Sequence, residues 1–433
     1  MTCMIMHTPL SLWSLSLTIQ TDDSKAKMKL ALVIINNESK AITTLAHDIQ
    51  TYLSGGWQKK MGFDVDIYYV SNVRTKKEVQ ELFQKGYATV VFMSYDEAQH
   101  ALEWRIYDSR EGEMLKGKRI SGMDEKKQGL AQWVADELWS ELTGQEGIGY
   151  TKIAYCQDGV NHTKKPIKSI YLTTPHAYSP ELLLQGGKCI GPRWNKKKEY
   201  PLLYYSEITS SNMRLMSVGL NKKTKKIFNN DGITMLPSCS TDGTKVIYCA
   251  SAQEHTQLYC YEFNNTSKES TISCITNNKG NNVSPYLCDN GDIIFCSDAY
   301  GNTAKKNPQI CYYTHATKEI HPLPHTTHCT APAFCESTNM LAYARLVGDV
   351  MQLFTYNLAT KQSLQLTFSP GNKDEPTWSP GGNYLAFSVE YNKCSRIALM
   401  NIITQEWSFL TPEHMYCSYP TWSPRYNDYI IVT

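Results

Sequence analysis

The densest gathering of chemistry-bearing side chains in this sequence is His321-Pro322-Leu323-Pro324-His325-Thr326-Thr327-His328-Cys329. Imidazoles and a thiol so close together are donors of the kind that hold a transition metal. Two prolines keep the backbone extended there, and the stretch falls where a connecting loop belongs, so solvated loop histidines are the favoured reading. A second gathering is Lys196, Lys197 and Lys198 beside Trp194. Cations next to an aromatic ring can hold an anionic or nucleic-acid ligand, but a lone triplet at a turn reads as solvated. The chain has no G-x-S-x-G nucleophile elbow, no G-x-G-x-x-G or G-x-x-x-x-G-K-[ST] phosphate loop and no H-E-x-x-H zinc helix. No catalytic residue, metal ligand or cofactor is assigned on these grounds.

Bulk properties narrow the classes further. The 43 basic and 41 acidic residues leave a formal charge of +2, which is no nucleic-acid footprint. No run of 18 apolar residues exists, so no membrane-spanning helix is expected. The 14 cysteines are scattered without a C-x-x-C pair. Cys156, Cys249 and Cys296 share one repeat position that Ser206, Ala344 and Ser388 fill elsewhere, so cysteine reads as a small packing residue rather than a disulfide framework.

What positions any site in this chain is a repeat. A proline followed three residues later by Ser, Cys or Asn recurs at Pro192, Pro237, Pro285, Pro332, Pro376 and Pro420, in steps of 45, 48, 47, 44 and 44 residues. After each proline comes an apolar run such as Val246-Ile247-Tyr248-Cys249 or Leu385-Ala386-Phe387-Ser388. Ile153-Ala154-Tyr155-Cys156 is an earlier copy without its proline. A third element opens on a polar residue: Arg214-Leu215, Gln257-Leu258, Gln309-Ile310, Gln352-Leu353, Arg396-Ile397 and, earliest, Ser169-Ile170. A weaker fourth strand ends in Leu-Thr at Thr367 and Thr411. Four strands per unit at this period is the pattern of a propeller blade. The first unit lacks a proline-led strand and the last proline-led strand has little chain after it. Six blades, with the C-terminal strand completing the first, is therefore the expected closure. Ile430 to Thr433 also reads as a strand and competes with Ile153 to Cys156 for one slot. The polar insert Gln157 to Lys168 reads as a surface loop.

Before the repeat, strand and helix periods alternate. Leu30–Ile35, Val65–Val70 and Ala88–Met93 read as strands, and Leu45–Leu53 and Lys76–Phe83 as helices. Leu102–Asp108 and Glu113–Ile120 flank the turn Ser109-Arg110-Glu111-Gly112. Lys126–Leu142 is an amphipathic helix with Leu130, Trp133, Val134, Leu138 and Leu142 on one face. The expected organisation is an N-terminal arm or atypical, truncated export signal over 1–24, an α/β domain over 25–147 and a propeller over 148–433. The fold class is mainly β: a six-bladed β-propeller preceded by a small α/β domain.

Specific motifs then point to a family. Glu375-Pro376-Thr377-Trp378 and Pro420-Thr421-Trp422-Ser423-Pro424 look like the E-P-T-W and P-x-W-S-P anchors of the TolB family, the periplasmic propellers of the Tol–Pal system. Thr151-Lys152-Ile153-Ala154-Tyr155 is similar to the family's T-R-I-A-Y, and Leu138-Trp139-Ser140-Glu141-Leu142-Thr143-Gly144 to the helix end before it. The family's Asp-Gly turn survives at Asp242-Gly243, while Lys196, Glu336 and Arg425 depart from it. The resemblance implies a periplasmic binding protein without enzymatic activity. It implies Pal, the peptidoglycan-associated lipoprotein, as partner at the propeller mouth, and TolA as partner of the N-terminal segment and domain. Together these maintain outer-membrane integrity during cell division. Loops entering the innermost strands converge on the channel of a propeller, so Gly191, Leu236, Ser284, Ala331, Asp374, Glu375, Ser418 and Tyr419 are the expected partner-binding residues. Glu375 is the single best contact, and a turn-capping role is its plain alternative. The competing function is a propeller lyase or hydrolase with its site in the channel.

Overall fold

The computed structural model describes residues 28–425, apart from the segments 36–39, 55–62, 72–75, 97, 122–128, 161–162, 177, 186, 197–200, 210–211, 230–233, 253, 265, 268, 301–306 and 324–327. The expected arm over 1–24 and the strand expected at Ile430–Thr433 lie outside the described residues. The chain divides into two compact units, Met1–Gly147 and Ile148–Thr433.

In the first unit β1 (Lys29–Ile35), α1 (Lys40–Leu53), β2 (Asp64–Val70), α2 (Lys76–Gln84) and β3 (Thr89–Asp96) alternate. A hairpin of β4 (Ala101–Asp108) and β5 (Glu113–Ile120) and the helix α3 (Leu130–Thr143) follow. The sheet order is β2-β1-β3-β4-β5, parallel between β1 and its two neighbours and antiparallel beyond β3. β1 is apolar throughout because both its faces are covered: Leu30, Leu32 and Ile34 pack in the cluster that holds α1 and α3 residues, and Ala31 and Val33 in the one that holds α2 residues. Residues 126–128 of the expected last helix lie outside the described residues. The helix opens at Leu130 because Gly129, at φ 89°, turns the backbone left-handed, and it closes at Gly144, whose N–H donates to the Ser140 carbonyl at 2.9 Å. Leu130, Val134, Leu138 and Leu142 are buried as expected, with Trp133 half-buried against the same core.

The second unit is a six-bladed β-propeller. Blade 2 comprises Lys188–Trp194, Leu202–Ile208, Met213–Gly219 and Thr224–Asn229, and blade 3 Thr234–Cys239, Lys245–Ala252, His255–Phe263 and Ser270–Cys274. Blade 4 comprises Asn282–Leu287, Ile293–Ser297, Gln309–Tyr313 and Ile320–Pro322, and blade 5 Cys329–Cys335, Met340–Val347, Val350–Asn357 and Ser363–Gln365. Blade 6 comprises Asn372–Trp378, Tyr384–Tyr391, Cys394–Asn401 and Trp407–Phe409. Blade 1 takes Ile153–Val160, Pro166–Thr173 and Glu181–Leu184 from the start of the unit and Cys417–Trp422 from its end, the latter antiparallel to the first. The innermost strands touch in sequence, and Cys417–Trp422 meets Lys188–Trp194 to close the circle. The core lies between blades: Leu353 and Ala344 of blade 5, for example, pack with Phe387 and Met400 of blade 6.

Each repeated residue has a mechanical reason. The small polar residue three past the proline accepts a hydrogen bond from the amide that starts the next strand: Asn195 from Leu202 at 3.1 Å, Ser240 from Lys245 at 2.9 Å and Ser379 from Tyr384 at 3.1 Å. In blade 1 the same turn is assembled from distant chain, with Lys152 N donating to Ser423 Oγ at 2.9 Å and Ser423 N to the Lys152 carbonyl at 2.8 Å. The closing threonines cap the third strand, accepting from the amides of Leu258 (Thr276, 2.8 Å), Leu353 (Thr367, 2.9 Å) and Ile397 (Thr411, 3.0 Å). The polar residue that opens the third strand ties the crossover loop to the next blade: Gln257 donates to Gly280 O at 3.1 Å, Gln352 to Ser369 O at 2.9 Å, and Arg396 to Thr411 O through both Nε and Nη2.

The insert expected as a surface loop is largely strand. Gln157 to Val160 pairs with Pro166 to Ser169, so it lengthens the blade 1 hairpin; residues 161–162 at its tip are not described. Its polar composition reflects two solvated faces beyond the blade core, not absence of pairing.

Candidate functional site

Every innermost strand carries the same bulge. Two residues, the second of them the proline, face one residue of the neighbouring strand: between Met235 and Ser238, Val283 and Tyr286, Thr330 and Ala333, Asp374 and Thr377, and Ser418 and Thr421, with the matching irregularity at Gly191. Proline suits the bulge because it has no N–H to leave unpaired. The residue before it is left-handed in all six blades: Gly191 (φ 57°), Leu236 (52°), Ser284 (54°), Ala331 (50°), Glu375 (56°) and Tyr419 (53°). Five of these are not glycine, and each such conformation costs roughly 1–2 kcal/mol that the surrounding blade must overcome. The fold thus gathers the six loop positions named from the sequence into one ring, with Asp374 and Ser418 immediately before two of them.

On blades 6 and 1 the ring is polar. Glu375 Oε2 accepts the Tyr419 amide at 2.6 Å, and Asp374 Oδ1 accepts the Glu375 amide at 2.8 Å and the Thr330 hydroxyl at 3.4 Å. Lys168 Nζ donates to Ser418 Oγ at 3.2 Å, pairs with Asp158 at 3.0 Å and lies 5.6 Å from the centre of the Tyr419 ring. Asp374 and Glu375 retain some contact with solvent yet are surrounded by protein, as side chains lining a narrow channel are. That enclosure pushes the Glu375 carboxyl up to about 7, with the Asp374 carboxylate adding to it and the Tyr419 amide opposing it. Burial also raises Asp374, and it raises the Tyr419 phenol to about 12 with help from Glu375. Glu375 therefore does more than cap its own turn: it ties the innermost strand of blade 6 to that of blade 1. Its loop is enclosed rather than freely exposed.

The turns that follow the innermost strands hold a second cluster, and here the sequence reading needs correction. Lys196 is not solvated. Its side chain is 22% exposed, and Nζ donates to the Leu287 carbonyl at 2.7 Å and to Asp289 Oδ1 at 3.0 Å, with Glu336 Oε1 at 3.5 Å. It also lies 4.5 Å from the centre of the Tyr286 ring. Thr241 donates to the same Asp289 oxygen at 2.7 Å, and the Asp289 amide to Glu336 at 3.0 Å. Burial alone would lower the Lys196 pKa, but Tyr286, Asp289 and Glu336 outweigh it and raise it. Blades 2 to 5 are thereby bound together through residues of their equivalent turns, Lys196, Thr241, Asp289 and Glu336. Lys196 and Glu336, which break the repeat's Asp-Gly turn, do so to meet each other. Lys197 and Lys198 lie outside the described residues.

The described residues of the histidine-rich stretch form no cluster. His321 is exposed and 3.4 Å from Glu319, Cys329 is fully buried, and His325 lies outside the described residues. Among the described residues no group of three or more His, Cys, Asp or Glu is placed to hold a metal. A groove of about 740 Å³ between blades 3 and 4 is lined by Asp242, Asp289, Tyr313, His315 and Lys318. Asp242 is taken up by its own turn, accepting from Ser240 and Thr244. Among the described residues the cysteines form no disulfide, and most are buried.

Two residues of the ring escaped the sequence reading. Lys168 looked like the end of a loop. Arg193 occupies the position after the repeat proline, where Ser238, Tyr286, Ala333, Thr377 and Thr421 stand in the other blades. Aligning the repeat one residue past the proline would have singled it out as the one cation there.

No protein-family model matches the chain. Among curated proteins it is 24% identical over 313 residues to the Tol-Pal system protein TolB of Francisella tularensis subsp. tularensis (strain WY96-3418), covering 68% of this chain and 69% of that one. A crystal structure of TolB from Acinetobacter baumannii superposes with a TM-score of 0.71, covering 93% of this chain and 98% of that one at 17% identity. The chain resembles TolB in sequence and in fold. Kuenenia stuttgartiensis hydrazine synthase shares the propeller architecture more distantly, with a TM-score of 0.52 over 66% of this chain and 48% of that one at 13% identity. The TolB-like anchors occupy adjacent innermost strands, Asn372–Trp378 and Cys417–Trp422, and are joined there by the Trp422 amide donating to Thr377 Oγ1 at 3.1 Å.

Proposed function

We propose that this chain is a non-enzymatic periplasmic scaffold of the Tol–Pal system. On this reading the ring of left-handed residues is the mouth that receives the peptidoglycan-associated lipoprotein Pal, and the N-terminal segment and α/β unit contact TolA. The link maintains outer-membrane integrity during division. The observation that carries the reading is the closed six-blade ring, with its repeated bulge, in a chain whose curated relatives are Tol-Pal system proteins named TolB.

The mouth also has an apolar rim. Phe368, in the crossover loop that enters blade 6, is 73% exposed, and Tyr391 and Tyr416 beside the neighbouring loops are exposed too. The Phe368 loop is held rigidly: the fully buried Lys373 ammonium donates to the carbonyls of Ser369, Pro370 and Gly371. Exposed aromatics on a rigid loop are a surface suited to a protein partner.

The test is affinity capture from solubilised envelope with the intact chain as bait. Pal identified by mass spectrometry is the expected result, and its absence counts against the docking reading. Phe368→Asp should reduce that capture severalfold without changing the melting temperature, because the side chain packs on little. Unchanged capture would show that the rim lies outside the interface.

A further inference from the structure

The fold leaves one cation of the channel wall with most of its hydrogen-bonding capacity unused. Arg193 follows Pro192 in the innermost strand of blade 2; it keeps some contact with solvent but is surrounded by protein, so that burial lowers its pKa. The equivalent hydroxyls in other blades serve the next blade: Ser238 Oγ accepts from the Leu287 amide at 2.8 Å and Thr377 Oγ1 from the Trp422 amide at 3.1 Å. Arg193 has no such duty. Among the described residues its side chain makes one hydrogen bond, from Nη1 to the Pro192 carbonyl at 2.9 Å. A guanidinium has five N–H donors. Glu375, Tyr419 and Cys156 are near enough to act on its charge, but no carboxylate of the described residues forms an ion pair with it. The Glu375 carboxylate is already committed to the Tyr419 amide. An enclosed guanidinium lacking a counter-ion is poorly compensated, and its planar fork matches a carboxylate through two parallel hydrogen bonds.

We propose that Arg193 is the seat for a carboxylate of the docked partner, an Asp or Glu side chain that enters the channel from the ring of left-handed residues. This rests on the reading of the mouth as the docking site and adds the chemistry of what it selects: an acidic segment in preference to a neutral or basic one.

Calorimetric titration of the intact chain with lipid-free Pal from the same organism tests both ideas separately. N-acetyl-aspartate serves as a small probe of the same seat. Arg193→Gln should weaken Pal binding by at least about tenfold, and Arg193→Lys by less, because a lysine keeps the charge and loses the fork. The wild-type chain should bind N-acetyl-aspartate at millimolar concentration and Arg193→Gln should not. Equal Pal affinity for wild type and Arg193→Gln overturns the carboxylate seat while leaving the docking reading intact. Binding of N-acetyl-aspartate without any Pal binding does the reverse, and binding of neither sinks both. If Arg193→Gln fails to fold, replacing the partner's acidic residues singly by their amides reads the same contact: one such change should reproduce the loss, and none doing so overturns the proposal.

Discussion

Glu375 is a carboxyl that the fold holds protonated to an unusual extent, and this has a consequence for stability. Its pKa rises from the ordinary 4.5 to about 7 on folding, chiefly through burial. The native state therefore binds more protons than the unfolded chain between those values. Stability must fall as pH rises through that window, by an amount on the order of 3 kcal/mol if the group acted alone. Urea unfolding at pH 5 and pH 8 should show the loss, and Glu375→Gln should flatten it; an unchanged slope in that variant would mean the carboxyl titrates normally. Lys196 makes the opposite kind of contribution. Lys196→Met removes the cation that Asp289 and Glu336 share and should destabilise the propeller by about 1–3 kcal/mol in the same assay. Were Lys196 the solvated turn lysine that its neighbours in sequence suggest, the change would fall within about 0.5 kcal/mol of zero.

At the level of the element, the innermost strand is a bulged unit repeated six times, strained wherever its left-handed residue is not glycine. Gly191 and Ala331 stand at equivalent bulges with φ 57° and 50°. Substitutions at the two should have opposite signs. Gly191→Ala acquires the left-handed penalty and brings a Cβ to 2.7 Å from Leu236 Cδ2, for an expected loss of about 1–2 kcal/mol. Ala331→Gly escapes the same penalty and should be neutral or stabilising. Thermal unfolding of both variants checks the pair, and a loss at both would deny that backbone conformation is what the bulge selects. The strand that follows each bulge shows why the repeat was legible. Its proline, its capping Ser or Asn and its apolar run each answer a local demand of turn, cap or buried face, so each leaves a mark at a constant spacing.

The whole molecule depends on closure. Blade 1 borrows its innermost strand from the other end of the unit, and Ser423 and Lys152 rebuild there the turn that covalent connection makes in other blades. A chain ending at Tyr416 should lose that strand and the ring with it. The expected result is a broadened, lower-temperature melt with association on size exclusion, since two blade edges are left unpaired. A sharp melt at the full-length temperature would refute the closure as the source of cooperativity.

The sequence alone determined the blade count, the closing strand, the alternating first unit and the six positions that form the ring, because each rests on periodicity or on a backbone requirement of one residue and its neighbours. It did not disclose the role of Lys196, the reach of Glu375 to Tyr419 or the idle donors of Arg193. Lys196 and Glu375 meet partners one to three blades away, tens to more than a hundred positions along the chain. A charge in a sequence carries no record of which other charge the fold will bring beside it, nor of how far water will be excluded. Only the closed ring decides whether a lysine at a turn is solvated or buried in a network, and whether a guanidinium finds an ion-pair partner within the chain.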